Sequence, residues 1–212
     1  MEQNNTQIIL NYLKTIFPDA SCELHFNSPF ELIVAVILSA QCTDKRVNQI
    51  TPVVFKNYPT VEHLAKAKTE ELEKIIFSCG LYKSKAKNLI ACANMIVEKF
   101  DGQVPNNLED LIMLAGVGRK TANVVYSVAF GGQAIAVDTH VLRVSNRLGL
   151  ATSTNPLVVE KNLMQLFNKN DWTELHYMLV LFGRYYCTAK KPKCETCGLR
   201  DLCIYYKKNV KK

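Results

Sequence analysis

The chain has 212 residues, of which 48% are hydrophobic and 21% charged, and these values exclude a disordered, collagen-like or disulfide-scaffold protein. No apolar run approaches the roughly 20 residues of a membrane span, and the start MEQNNTQ has neither the basic residues nor the apolar stretch of a signal peptide. We therefore expect no membrane association and a cytoplasmic protein, associated with the nucleoid if the source is bacterial. The formal charge of +7 favours a polyanion as partner.

This charge is concentrated at the C-terminus. Residues 183–212 contain nine lysines and arginines but only two acidic residues, so they account for the whole net charge. A basic tail kept only for solubility would give the same asymmetry.

The first recognisable element is a helix with a strong N-cap. Ser28 precedes Pro29 and Glu31, the arrangement of a capping box with proline at the first helical position, and the apolar run 32–40 follows. The run alone would also suit a buried strand, but the capping box predicts a buried helix.

Two more helices are predicted in the middle of the chain. Thr69 opens a helix that Gly80 stops. Ser84 opens another, with an apolar face that runs to Phe100, and Gly102 ends it.

The later part of the chain also reads as helical. Asn107 opens a short helix that ends at Leu114, and Asp171 with Glu174 forms a second capping box ahead of a helix that runs toward Tyr186. No convincing pair of strands occurs, so the predicted fold class is all-α.

Two glycines lie in the connection that follows the short helix. Gly116 and Gly118 flank Val117, so both can adopt positive φ and turn successive N–H groups toward a phosphate at the start of the next helix. Arg119 and Thr121 complete this candidate DNA-binding set. An ordinary helix connection would use glycines too, but the basic residues that follow and the cysteine pattern below predict a helix-hairpin-helix motif.

Lys120 is the first catalytic candidate. It falls in the first turn of the helix after the hairpin, where a cation opposes the helix dipole, so stability alone does not explain it. The positive helix end, Arg119 and partial burial would favour the neutral amine, which is a nucleophile. The alternative is a lysine that only binds phosphate.

Asp138 is the second catalytic candidate. It follows the apolar residues 135–137 and precedes a helix, so it can serve as an N-cap, as a catalytic carboxylate, or as both. His140, two residues later, either contacts DNA or simply fills the first helical turn.

The eight cysteines divide into two groups, and no disulfide is expected in a cytosolic chain. Four are scattered; of these, Cys42 and Cys92 lie in apolar contexts that predict small buried hydrophobes. The other four are closely spaced, with six, two and five residues between them: Cys187, Cys194, Cys197 and Cys203. Four thiolates at such spacing can hold zinc or an iron–sulfur cluster, and the single C-x2-C pair disfavours a zinc ribbon.

The segment between the first two of these cysteines is basic. Lys190, Lys191 and Lys193 lie within it, so a metal-rigidified loop would present three cations to phosphates.

Together these residues resemble the endonuclease III family. The resemblance rests on residues 114–122, on Val-Asp-Thr-His-Val at 137–141 and on the cysteine spacing, and it extends to the segments near 28, 38–41, 80–82 and 84–86. One departure is Ala115, where the family usually has proline. This change loosens the start of the hairpin without removing a phosphate donor.

The resemblance implies two helical domains with DNA bound in the cleft between them. A six-helix domain with the hairpin would span 22–132, and the second domain would join 1–21 to 133–212 and bind a [4Fe–4S] cluster through Cys187, Cys194, Cys197 and Cys203. Gln41 and Leu81 match residues that fill the space of the extruded base and contact its estranged partner.

The resemblance also implies an activity. The expected enzyme is a monomeric, bifunctional DNA glycosylase and AP lyase of base excision repair, which acts on duplex DNA containing damaged pyrimidines or abasic sites, with Lys120 as Schiff-base nucleophile and Asp138 as its partner. A related adenine glycosylase would carry serine at Lys120 and glutamate at Val36. The remaining alternatives are a non-catalytic DNA-binding module, which would release no base, and a small electron carrier, which would not need Lys120 and Asp138.

Overall fold

The computed structural model describes residues 3–210, and in this part of the chain it contains helices and loops but no strand. The twelve α-helices are α1 (Gln3–Ile16), α2 (Pro29–Ser39), α3 (Asp44–Asn57), α4 (Val61–Ala65), α5 (Thr69–Ile76), α6 (Tyr82–Phe100), α7 (Leu108–Met113), α8 (Arg119–Phe130), α9 (Thr139–Leu148), α10 (Pro156–Leu166), α11 (Trp172–Leu181) and α12 (Ile204–Asn209). A 3₁₀ turn, Lys169–Asp171, precedes α11, and a π-helical segment, Phe182–Tyr186, follows it. The all-α prediction is confirmed.

One compact unit is formed by Glu23–Gly132. It contains seven helices, α2 to α8, whereas the resemblance implied six. Helix α2 lies at the centre and packs against α3, α6 and α8. Eight of its eleven residues are buried, which explains why its sequence is apolar on every side.

The other compact unit joins the segment before Glu23 to the segment from Gln133 onward. Its core brings α1 together with α9, α10 and α11 through residues such as Leu13, Val144 and Leu179. Phe182, in the π-helical segment, is 1% exposed and packs edge-on against Tyr12 of α1. The N-terminal helix is therefore an integral part of this unit.

Two predicted N-caps are confirmed. The Ser28 side chain accepts a hydrogen bond from the Glu31 amide at 3.1 Å, and Asn107 accepts one from the Asp110 amide at 2.9 Å. The Glu31 carboxylate binds the amide of Asn27 at 2.6 Å, one residue before the cap. Local capping chemistry therefore places the starts of α2 and α7 correctly.

Three other expectations were wrong in detail. Helix α5 ends at Ile76 and not at Gly80, and α6 begins at Tyr82 because Leu81 adopts a left-handed conformation, so Ser84 lies inside its first turn. Cys42 is partly exposed, whereas Cys92 is buried as predicted.

The second capping box is also wrong. Asp171 immediately precedes α11, but its side chain caps no amide. Its carboxylate instead binds Lys14 of α1 at 3.0 Å, and Glu174 binds the same ammonium at 3.1 Å. Ion pairing to α1 replaces the local cap.

Of the helices described, none combines the length and the apolar character needed to cross a membrane.

Candidate functional site

The hairpin between α7 and α8 depends on Gly116. This residue has φ of +75°, and a Cβ atom on it would lie 2.8 Å from the Cβ of Asn88 in α6. Both the conformation and the close approach exclude a side chain. Gly118 differs: its φ is −85°, and an added Cβ would meet nothing within 4 Å. The expectation of positive φ at both glycines is therefore wrong for Gly118.

The hairpin contains one amide that is hydrogen-bonded within the protein and a helix start that has no side-chain cap. Val117 is 5% exposed and its N–H donates to the Leu114 carbonyl at 3.1 Å, so this amide is used inside the hairpin, and its predicted contact with DNA stays a prediction. Gly118 is the N-cap of α8 and provides no side-chain cap. The start of α8 therefore has no side-chain cap, which is the arrangement found at anion sites on helix N-termini.

Lys120 extends from this helix start. It is exposed, so the expected partial burial is wrong, and it occupies the second position of α8. Its ammonium forms no hydrogen bond or ion pair with residues 3–210. An unpaired amine at a positive helix end is available to a ligand.

Asp138 is the N-cap of α9. Its Oδ1 accepts a hydrogen bond from the Val141 amide at 2.8 Å, and the residue is half-buried. The structure therefore gives it the capping role, which uses one carboxylate oxygen. Oδ2 has no hydrogen bond to the described residues and can act on a ligand.

His140, in the first turn of α9, is engaged by its own helix. Its Nδ1 lies 3.2 Å from Nη2 of Arg143, which can only donate, so Nδ1 accepts and the ring is protonated on Nε2. Nη2 also donates to the Gly183 carbonyl at 2.7 Å. His140 is thus fixed beside the π-helical segment.

Gln41 and Leu81 lie next to each other. They are exposed and adopt positive φ, 53° and 61°, which is uncommon for residues other than glycine. A Cβ atom on Gly80 would lie 3.0 Å from the Gln41 carbonyl oxygen, so the two backbones meet here. We call Gln41 and Leu81 the wedge pair.

The four C-terminal cysteines line one pocket. Cys187 is placed by the π-helical segment, since its amide donates to the Phe182 carbonyl at 2.6 Å. Burial raises the pKa of the Cys197 thiol, and the other three cysteines raise it further. Four thiolates this close need a cationic group to balance them, which fits a bound metal cluster.

Arg147 of α9, which sequence reasoning missed, holds the basic loop 188–193. Its guanidinium donates to the carbonyls of Thr188 at 2.7 Å and Ala189 at 3.0 Å and reaches the Cys187 sulfur at 3.3 Å. It also stacks on the Tyr205 ring, 4.2 Å from the centroid. Its position in the sequence, forty residues before the loop, gave no signal of these contacts.

The three loop lysines are exposed, as predicted. Lys193 also lies 5.6 Å from the centroid of the Tyr186 ring, and its amide donates to the Tyr186 carbonyl. The loop therefore presents cations on a backbone fixed at both ends.

Two family models match the chain. Residues 34–169 match the HhH-GPD superfamily of base excision DNA repair proteins, and residues 187–203 match the iron–sulfur binding domain of endonuclease III. Endonuclease III of Bacillus subtilis is 49% identical over 97% of this chain and 94% of its own, and that of Escherichia coli is 42% identical over 94% and 95%.

The chain belongs to the endonuclease III family. A solved structure of a trapped covalent intermediate between endonuclease III and DNA, an estranged-adenine complex, has a TM-score of 0.95 to this fold at 47% identity and covers 98% of both chains. A thermostable thymine-DNA glycosylase has a TM-score of 0.88 at 27% identity, covering 97% of this chain and 98% of its own. As a member of the endonuclease III family, the chain is a DNA glycosylase and AP lyase of base excision repair.

Membership in the endonuclease III family also settles the cofactor. The matched cysteine segment is an iron–sulfur binding domain, so the cysteines bind an iron–sulfur cluster and not zinc. All four cysteines line one pocket, as the ligands of a single cluster must.

Proposed function

We propose that this chain excises damaged pyrimidines from duplex DNA and then cleaves the strand 3′ to the abasic site, with Lys120 as the nucleophile. The observation that carries the proposal is the exposed Lys120 amine, which has no partner among the described residues and lies in the first turn of α8, a helix without a side-chain cap. We further propose that it works as a monomer at the cytoplasmic DNA.

The first step requires extrusion of the nucleotide, because the sugar carbon is inaccessible inside a duplex. Damage weakens stacking or pairing and lowers the cost of flipping. The amides of Gly118 and the first turn of α8 would hold a backbone phosphate, which brings the sugar toward Lys120. Gln41 and Leu81 would fill the vacated space, since both are exposed and adjacent.

The chemistry then follows from the amine. Neutral Lys120 attacks C1′, the C1′–N bond breaks, and the base leaves with its electron pair and takes up a proton. Asp138, through Oδ2, would stabilise the positive charge that develops on the sugar and transfer protons. After ring opening, an imine joins Nζ to C1′.

The imine provides for strand cleavage. It withdraws electrons and acidifies C2′, so loss of a C2′ proton expels the 3′ phosphate by β-elimination. The products are a 3′ unsaturated aldehyde and a 5′ phosphate, and water releases Lys120. No external oxidant or reductant is needed, and the iron–sulfur cluster on Cys187, Cys194, Cys197 and Cys203 would serve as a structural clamp for the basic loop.

Borohydride trapping tests the nucleophile. Reduction of the imine should link the wild-type chain covalently to DNA containing an oxidised pyrimidine, whereas Lys120→Gln should bind the same DNA without an adduct. Lys87→Gln, an exposed lysine of α6, is the control and should form the adduct normally. An undiminished adduct with Lys120→Gln would overturn the assignment.

A further inference from the structure

Lys85 is a buried lysine that the chemistry above does not use. It lies in the first turn of α6, is 4% exposed, and its Nζ donates to the carbonyl oxygen of Leu38 at 2.8 Å. Burial lowers the pKa of its ammonium, although the thiols of Cys79 and Cys42 partly offset this effect. Because lysine is almost never fully buried without a partner, this position needs an explanation.

The Lys85 hydrogen bond joins two segments at the wedge pair. Leu38 lies in the last turn of α2, three residues before Gln41, where carbonyl groups have no partner inside the helix. Lys85 lies four residues after Leu81, and its own amide donates to the Leu81 carbonyl at 3.0 Å. One side chain therefore ties the end of α2 to the beginning of α6.

The wedge pair needs such a tie. Positive φ at glutamine and leucine is unfavourable and persists only where the surrounding structure enforces it. Gln41 and Leu81 are themselves exposed, so their own side chains make little packing that could hold the backbone. The close approach of Gly80 to the Gln41 carbonyl and the Lys85 hydrogen bond are two buried contacts that join the segments at this point.

The surroundings of Lys85 do not point to a salt bridge. The side chains that interact electrostatically with its ammonium are the thiols of Cys42 and Cys79, which are hydrogen-bonded to each other. Within residues 3–210 no carboxylate pairs with it, and its side-chain hydrogen bond goes to Leu38. An ammonium at the carbonyl end of α2 also interacts favourably with the helix dipole.

We propose that Lys85 is a positioning residue, which fixes Gln41 and Leu81 in the conformation that inserts into duplex DNA. The inference rests on the proposed role of the wedge pair. It predicts that loss of the Lys85 ammonium impairs reaction on duplexes, where a partner base must be separated from its mate, and spares single-stranded abasic DNA, which has no partner base.

The test compares kcat/KM on the two forms of abasic DNA. Lys85→Met keeps the length of the side chain but removes the donor, and should lower the duplex value by about 10- to 100-fold, the scale expected for a small misplacement. Single-stranded cleavage and its borohydride adduct should stay within about twofold, since Lys120 is untouched. Lys85→Arg, which keeps a donor, should recover part of the loss, and Lys87→Met on the same helix is the control.

A second readout reports insertion directly. The fluorescence of a 2-aminopurine placed opposite a stable abasic analogue should increase when the wild type binds, because insertion unstacks this base from its neighbours. Lys85→Met should give a smaller increase at saturating protein, well below its melting temperature. A purely structural lysine would lower the melting temperature and leave this signal and the duplex-to-single-strand ratio unchanged, which would overturn the inference.

Gln41→Ala and Leu81→Ala separate the two proposals. If both lower the duplex ratio and Lys85→Met does the same, Lys85 acts through them. If the two alanine variants lower the duplex ratio and Lys85→Met does not, the Lys85 inference is wrong and the role of the wedge pair stands. If neither changes the ratio while Lys120→Gln still abolishes trapping, the wedge assignment fails, and the Lys85 inference with it. Should Lys85→Met not fold, Lys85→Arg is judged by the same ratio.

Discussion

Gly116 and Gly118 are two residues apart, but the fold requires glycine only at the first of these positions. Gly116 needs positive φ and leaves no room beside Asn88, so the fold determines it. Gly118 has ordinary φ and open space at its Cβ position, so nothing inside the described protein demands glycine there. The demand at Gly118 is therefore external, as the proposed binding of a phosphate against the start of α8 would require.

Alanine substitutions should separate these demands. Gly116→Ala should lower the free energy of unfolding by about 1–3 kcal/mol, through left-handed strain and the contact with Asn88. Gly118→Ala should change it by less than about 1 kcal/mol, because a weaker N-cap and a stiffer unfolded chain offset each other. It should nevertheless weaken binding to abasic DNA. Urea titration and fluorescence anisotropy measure the two effects, and equal destabilisation by both variants would contradict this view.

Asp138 combines a cap and a proposed catalytic carboxylate, and one substitution distinguishes these roles. Asn is as good an N-cap as Asp, so Asp138→Asn should keep α9 and the melting temperature nearly unchanged. Loss of the charge should reduce turnover by roughly 10²–10⁴-fold, with a smaller effect on DNA affinity. Single-turnover base release is the measurement, and turnover that falls only in proportion to stability would leave Asp138 with the cap alone.

At the scale of elements, the sequence predicted the start of a helix correctly where neighbouring residues form its cap. Ser28 and Asn107 cap amides three residues away, so a short window of sequence sufficed. The start of α6 was missed because Leu81 adopts a left-handed conformation, which a leucine in the sequence does not signal. The capping box predicted at Asp171 is wrong because Lys14, 157 residues away, binds the same carboxylate.

The contact between α1 and α11 predicts a small, salt-sensitive stabilisation. Hydrogen bonds to Asp171 and then to Glu174 raise the pKa of Lys14, but its side chain is 39% exposed. Screening therefore limits the contribution of the pair to about 0.5–1 kcal/mol, which Lys14→Met should remove. Because the pKa is higher in the folded state, the contribution is complete below the unfolded pKa and is lost as pH rises through the folded value. Melting curves in low and 1 M salt should converge for wild type and variant; a difference that persists in high salt would indicate lost packing instead.

At the scale of the whole molecule, the sequence revealed that the positive charge is concentrated near the C-terminus. It did not reveal which contacts hold the basic loop in place. The cysteine spacing predicted the metal-binding loop, and the iron–sulfur family match confirms it. Two features of its support could not be read from sequence: the π-helical turn that places Cys187, and Arg147, which binds the loop carbonyls from α9. Both arise from tertiary contacts that no periodic pattern encodes. The arrangement of the catalytic pair, Lys120 and Asp138, stays a prediction.

The basic loop allows a quantitative test of how this molecule uses its charge. Lys190, Lys191 and Lys193 are exposed on a backbone held by Arg147 and the cysteines, so their ammonium groups can meet phosphates with little loss of backbone entropy. Replacing all three by glutamine should weaken binding to damaged and undamaged DNA alike, because phosphates carry no sequence information.

The salt dependence of binding then measures how many phosphates these lysines neutralise. The slope of log K against log salt should flatten by about 0.9 for each phosphate that the variant no longer binds. Glutamine at three exposed lysines outside the loop, Lys66, Lys68 and Lys161, makes the same change in net charge and should leave the slope near the wild-type value. If both triple variants flattened the slope equally, the protein would be using its overall charge and not a fixed loop. An unchanged slope in the loop variant would mean that these lysines do not touch DNA.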